Sequence, residues 1–395
     1  MMRTGCVRIR WILFSPVLFF LAVGFLIQAS LWAAKPPVPS TAAASAADKG
    51  KNWPQFRGNP LSTGLAHTTL PDNPQVLWKY EIKDGAFEGT AAIVDGMVYI
   101  GDLDGKVLAI DLESGKAIWE FQNEDGFVAS PTVQNSRVFI GDIFGKFFCL
   151  NAKSGEVLWT HVADGEIASS ANFYQGNVLF GSQDTKLYCL NAESGELIWK
   201  HAIPDQIRCT PTVVQDRCFV AGCDGKLHII DLVKGEAVAG VEIGAPTMST
   251  PAVVGESAYF GTESGVFYSV DWQKGEINWQ FQAKGSRSIR SSAAANDTVV
   301  VFGGQDRRVR GLDRSNGKEI WTFATKQRVD SSPVIVDERV FVGSSDGRIY
   351  ALNWQSGKKV WQYEAGGGFV GSPAIADGRL VIATDDGSVL CFGEK

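Results

Sequence analysis

The sequence predicts an all-β protein: an eight-bladed β-propeller of four-stranded antiparallel blades, closed by an N-terminal strand that completes the last blade. Three observations carry this reading. A Gly followed four positions later by a Trp recurs about every forty residues, a period that marks a repeat architecture: Gly115/Trp119, Gly155/Trp159, Gly195/Trp199, Gly275/Trp279, Gly317/Trp321 and Gly357/Trp361. Asp-Gly and related pairs separate short alternating apolar runs, the strongest local hairpin signal, because Gly takes positive φ without a Cβ clash. An aromatic content of 11% with 43 Gly and 20% charged residues suits many short strands on tight turns and does not suit disorder.

The elements follow in order within each unit. A small residue, a Ser or Thr and usually a Pro come first, as in Ala129-Ser130-Pro131, Cys209-Thr210-Pro211 and Ser331-Ser332-Pro333. A short apolar strand, a polar turn such as Asp95-Gly96, and a strand of the type Val98-Tyr99-Ile100-Gly101 come next. A second turn (Asp104-Gly105, Asp224-Gly225, Asp346-Gly347) leads to an alternating third strand, and a Ser-Gly turn leads to the Trp strand. Four short antiparallel strands per unit make one propeller blade.

The three-strand part starts eight times, near Thr90, Ser130, Ser170, Thr210, Thr250, Ser292, Ser332 and Ser372. The last copy ends without a Trp strand, and an unmatched one, Val76-Leu77-Trp78-Lys79-Tyr80, precedes the first copy. Residues 76–82 are therefore expected to supply the missing outer strand and close the ring, which removes two exposed sheet edges. Trp78, Trp119, Trp159, Trp199, Trp279, Trp321 and Trp361 are expected to wedge each blade against the next. Ala239 stands where the Trp after Gly235 should be, so one junction is expected to be thinner.

Ahead of the repeats, Arg3, Arg8 and Arg10 precede an apolar run from Trp11 to about Trp32. This is an export signal, so residues 1–34 are a signal peptide or a retained membrane anchor and the remainder is periplasmic or otherwise extracytoplasmic. Residues 35–52, rich in Pro, Ala and Ser, read as a flexible linker. Residues 53–75 form a lead-in segment, and 76–395 form the propeller. A net charge of −6 argues against a nucleic-acid binder, which needs a basic footprint.

The pattern of a small residue, Asp or Asn, two residues, Ser-Gly, three residues and Trp is plainest from Ala109 to Trp119, Cys149 to Trp159, Cys189 to Trp199 and Ala351 to Trp361. It resembles the pyrroloquinoline-quinone (PQQ) repeat. Trp53-Pro54-Gln55-Phe56-Arg57-Gly58 also resembles the lead-in segment of exported PQQ-like propellers. One branch of that superfamily, the quinoprotein alcohol dehydrogenases, implies PQQ and calcium on the propeller axis. The other resembles the propeller subunit of the outer-membrane barrel-assembly machinery, which implies a non-enzymatic scaffold with envelope protein partners. The minimal blades and the lack of any two adjacent cysteines favour the scaffold branch. Cys6, ahead of the apolar run, is badly placed for lipid attachment and departs from the barrel-assembly subunit.

No strand-turn-helix nucleophile elbow, P-loop or His-Glu-x-x-His motif is present in the sequence. Cys149, Cys189 and Cys391 share one repeat position with Ala109 and Ala351 and read as small buried residues. His161 and His201 stand where Phe121 and Phe281 stand in other units, so they read as aromatic substitutes rather than metal ligands. Asp102-Leu103-Asp104-Gly105 lacks the remaining ligands of a calcium loop and reads as a hairpin turn.

What remains is the axial face, where Glu88, Arg208, Arg290 and Asp330 occupy one repeat position. A basic cluster in the sixth copy, with Arg287, Arg290 and Arg307, breaks the repeat rule, and sites tend to lie where the pattern fails. These six residues are the candidate binding set. The reading favoured is an exported non-catalytic scaffold with no cofactor. Its alternatives are a PQQ- and calcium-dependent dehydrogenase and a sensor for a small ligand on the central funnel.

Overall fold

Thirty-two strands arranged as eight four-stranded antiparallel sheets make up the described residues of the protein in a computed structural model, which describes 50–83 and 85–395. The expected signal or anchor and all but the end of the expected linker lie outside those residues. Among the described residues no helix is long and apolar enough to cross a membrane. Blades one to seven span 92–122, 132–162, 172–202, 212–242, 252–281, 294–324 and 334–364. Blade eight takes three strands from 374–393 and its outer strand from Gln75–Glu81, one residue earlier than expected at each end. Trp78 pairs with Cys391 in that closing register.

The recurring sequence signs have specific structural causes. Every outer strand carries a β-bulge one residue before its Trp position, as between the Trp119↔Ala109 and Ala117↔Ile110 pairs. The bulge sets the Trp opposite the small third-strand residue: Cys149 faces Trp159, Cys189 faces Trp199 and Gly311 faces Trp321. Trp78, Trp119, Trp159, Trp199, Trp279 and Trp321 then each reach over the glycine turn of the following blade. At Gly115, Gly155, Gly195, Gly235, Gly317 and Gly357 an added Cβ would lie 2.5–2.7 Å from the preceding blade's indole. These glycines also hold φ between 67° and 76°, so both sterics and backbone require them. Indole Nε1 atoms of Trp78, Trp119, Trp279 and Trp321 donate across the junction to the carbonyls of Leu112, Ala152, Arg314 and Trp354 at 2.7–3.1 Å.

The expected thin junction is not left thin. Ile229, a larger residue than its counterparts, faces Ala239 across the blade-four pair. Trp272 of blade five is buried and approaches Phe219 of blade four edge-on at 5.6 Å. In other blades the equivalent aromatic meets its own blade's Trp, as Phe139 meets Trp159 at 5.9 Å. The bulk missing at 239 is thus supplied from the opposite side of the junction. Only directly over Gly275 does space remain, with Ala239 Cβ 4.0 Å from an added Cβ.

Candidate functional site: the two ends of the propeller axis

Inner strands begin at one end of the axis with the repeated Ser or Thr. Each backbone N–H there donates to the next blade's hydroxyl: Thr90 to Ser130, Ser130 to Ser170, Ser170 to Thr210, Thr210 to Thr250, Thr250 to Ser292, Ser292 to Ser332, Ser332 to Ser372, and Ser372 back to Thr90. The eight bonds, 2.8–3.2 Å long, close a circle. This explains why the position accepts only Ser or Thr: a buried N–H left without its acceptor costs about 1–3 kcal/mol.

The lead-in segment occupies the axis from the other end. Trp53 exchanges both backbone bonds with Ile93 of blade one. Val133, Val213, Val253, Ala295 and Ile335 donate their N–H groups to the carbonyls of Pro54, Pro60, Leu61, Thr63 and Gly64, and Asn172 Nδ2 donates to Pro60 O at 3.0 Å. In blade eight, Asp377 donates to Gly50 O and Gly378 to Thr68 Oγ1. Seven inner strands, and the turn that follows the eighth, are therefore bonded to a single stretch of chain. Among the described residues this stretch begins with Gly50, whose carbonyl is already bonded to blade eight. From the axis the chain runs outward, where Arg339 donates to the carbonyls of Leu70 and Pro71 at 2.6 and 2.7 Å, and reaches the closing strand.

Phe56 floors the funnel that remains at the Ser/Thr end. This funnel, about 150 Å³, is lined by the hydroxyl circle and by Glu88, Arg208, Arg290 and Asp330. The structure thus brings together four of the six predicted binding residues, from four different blades. Arg287 and Arg307 do not line it. Both are exposed in blade-five and blade-six funnel-end loops, and neither side chain has a hydrogen bond or ion pair among the described residues. Of the neighbouring basic residues, Arg310 is buried and paired with Asp306 and Glu319, so it belongs to the core of blade six.

The funnel rim is divided electrostatically. Arg290 forms a two-pronged pair with Glu263 (3.0 and 3.3 Å), Arg208 donates to Gln206 and Gln183, and Asp330 accepts from Arg328 and Gln305. Glu88 has no such cation. Burial, and then the nearby charges of Glu166 and Asp385, push its carboxyl above the usual carboxylate range.

The other repeat-position candidates are structural. Burial pushes the Cys149 thiol up to about 11 and those of Cys189 and Cys391 to about 12, and the six cysteines among the described residues are free thiols. His161 packs edge-on against Tyr188 at 5.5 Å, and His201 Nδ1 lies 3.0 Å from Gly235 O. Asp102 Oδ1 accepts from Asp104 and Lys106 within its hairpin turn. Among the described residues no three His, Cys, Asp or Glu side chains group as a metal site.

A larger cavity, about 830 Å³, opens at the lead-in end beside blades one and two. Trp53, Leu61, Leu65, Met97, Tyr99 and Trp119 give it a largely apolar wall, with His67 and Lys153 as its basic side chains. Sequence reasoning missed this cavity and the plugging role of the lead-in segment. The motif around Trp53 was visible, but not that its carbonyls would serve other blades.

PQQ with calcium does not fit the funnel residues. Small-molecule pockets run to about 300–1,000 Å³, above the funnel's volume. Calcium needs several convergent oxygen ligands, whereas Asp330 is already engaged and Glu88 stands in a different blade.

The family described as outer membrane protein assembly factor BamB matches residues 67–280, 206–322 and 305–394. No curated protein matches the chain. Among solved structures, BamB from Moraxella catarrhalis is similar at 21% identity and TM-score 0.69, covering 82% of this chain and 98% of that one. A computationally designed protein, Ika8, aligns at 17% identity and TM-score 0.73 over 81% and 100%. The quinohemoprotein alcohol dehydrogenase from Comamonas testosteroni aligns at 14% identity and TM-score 0.77 over 91% and 83%. At such identities the structures establish the fold alone.

Proposed function

From the premise that this chain belongs to the PQQ-like propeller family described as outer membrane protein assembly factor BamB, we propose that it is an exported, non-catalytic scaffold of the cell envelope that holds a protein partner on its funnel face. The observation that carries this reading is the shape and charge of that face. Phe56 leaves a shallow depression, and four charged side chains from four blades surround it. Such a surface offers charges to a protein segment while enclosing no small substrate. The unpaired Arg287 and Arg307 extend the basic side of the rim and suit an acidic stretch of the partner.

The test is capture from envelope extract by the purified propeller, compared with a variant in which Arg287, Arg290 and Arg307 are Ala. A discrete partner retained by the native protein and lost by the folded variant is expected. Equal capture by both sinks the assignment of the rim. Dye reduction by protein supplied with PQQ and calcium would sink the non-catalytic reading.

A second reading, a sensor for a small apolar ligand, is favoured by the cavity of about 830 Å³, which has the size of small-molecule pockets. A ligand-dependent rise in Tm abolished by Met97→Trp would support it.

A further inference from the structure

The lead-in segment carries an unusual concentration of buried donors. Arg57 is 1% exposed and lies on the axis, where Nη2 donates to the carbonyls of Ala293 (3.1 Å) and Pro333 in blades six and seven. Its Nε and Nη1 have no acceptor among the described residues, and neither do Trp53 Nε1 and Gln55 Nε2, both buried. Nothing nearby supplies a formal negative charge: none of the ion pairs among the described residues includes Arg57, and its other partner is the ring of Phe56, 5.9 Å from the guanidinium carbon. Burial pulls the guanidinium down only to about 9, so it keeps its proton at neutral pH.

An uncompensated buried charge costs several kcal/mol, and buried polar groups in native proteins are almost always paired. Carbonyl dipoles and a π face offset part of that cost at Nη2. They leave a cation and four N–H donor atoms that lack an acceptor, within one five-residue stretch folded tightly by the Gly58 N–Gln55 O bond. The backbone holds Arg57 there under constraint. Its φ is 64°, in the left-handed region, and a side chain at Gly64 would collide with its Nη2. Water can accept from the N–H groups but cannot neutralise the charge.

We propose that the propeller axis contains an internal site for a small monovalent anion, of the chloride or formate class, bound by the Nε and Nη1 donors of Arg57 with help from Gln55 or Trp53. Arg57 lines neither the funnel nor the cavity at the lead-in end, so neither opens room beside it for a nucleotide, sugar or phosphate ester. The anion is a structural component of the plug, held next to the Phe56 floor of the funnel and distinct from the charged side chains of the rim.

Two measurements on the intact propeller decide the matter. Thermal unfolding is followed in sodium chloride and in sodium gluconate at equal ionic strength. Crystals soaked in bromide are measured at the bromine absorption edge. Native protein is expected to be more stable in chloride, with the unfolding constant falling about tenfold per tenfold rise in chloride above Kd, equivalent to about 1.4 kcal/mol. Arg57→Met should abolish that dependence, and the bromide peak should lie within hydrogen-bond distance of Nε or Nη1. If Arg57→Met fails to fold, the native salt comparison and the bromide map still decide. No peak with equal Tm in both salts means water alone fills the site and overturns the proposal. A peak with a chloride-insensitive Tm marks an adventitious ion only and overturns it equally.

Discussion

The two ends of the propeller axis are built from the same eight inner strands, yet they use different parts of the chain. At the lead-in end the backbone carries the contacts: carbonyls from Gly50 to Gly64 accept from all eight blades, through backbone N–H groups in seven and Asn172 Nδ2 in the other, and Trp53, Gln55 and Arg57 are buried. At the funnel end the backbone is already satisfied by the hydroxyl circle, and charged side chains stand above it, Glu88 and Arg290 exposed and Arg208 and Asp330 half-buried. Groups already used for cohesion cannot also recognise a partner. The contrast teaches that the lead-in end holds the ring together and the funnel end is free to bind.

Substitutions should break the two ends differently. Trp53→Ala, at the lead-in end, removes a fully buried indole and should cost about 3–5 kcal/mol in urea unfolding. A loss below about 1 kcal/mol would mean the lead-in segment merely rests on the ring. In the hydroxyl circle at the base of the funnel, Ser332→Ala deletes the acceptor of the Ser292 N–H and should cost about 1–3 kcal/mol by the same assay. Little change there would show that the circle is decorative.

At the funnel end, Arg290→Ala breaks only a partly exposed pair with Glu263 and should change stability by no more than about 1 kcal/mol. It should nevertheless weaken partner capture about tenfold, chiefly through slower association. The smallest effect concerns pH. A carboxyl whose folded pKa is raised stabilises the fold below its ordinary value of 4.5, and that contribution is lost as pH rises through the folded pKa. Glu88→Gln should therefore raise Tm at neutral pH and leave it unchanged below pH 4.5, read from Tm across the pH range. A Tm lowered at neutral pH would place a hidden cation beside Glu88.

The ring itself was legible because its cause is local and repeated. Gly115 and its equivalents need positive φ and lie under an indole, so both constraints print the same letters every forty residues or so. The closing strand was legible from the unmatched Trp78. The blade-four junction was misread because Ala239 was judged alone. Ile229 opposite it is larger than its counterparts and Trp272 across the junction larger than all of its own but Trp354, and reading the three positions together would have found the exchange of volume. At the funnel, position within the repeat placed Glu88, Arg208, Arg290 and Asp330 together, since equivalent residues of a ring converge on its axis. Arg287 and Arg307 were grouped with them by charge, and charge carries no such geometry. The plug was illegible for another reason: its bonds use backbone carbonyls, which leave no side-chain signature.

The central claim, that the funnel face and not the lead-in face meets the partner, is tested most directly by site-specific photo-cross-linking in envelope preparations. A photoreactive residue is placed in turn at Arg287 or Arg307 on the funnel face, and at Asn135 or Lys153 by the cavity at the opposite end. One discrete cross-linked protein from the funnel positions, and none from the others, is the predicted result. Cross-links from Asn135 or Lys153 alone would contradict it.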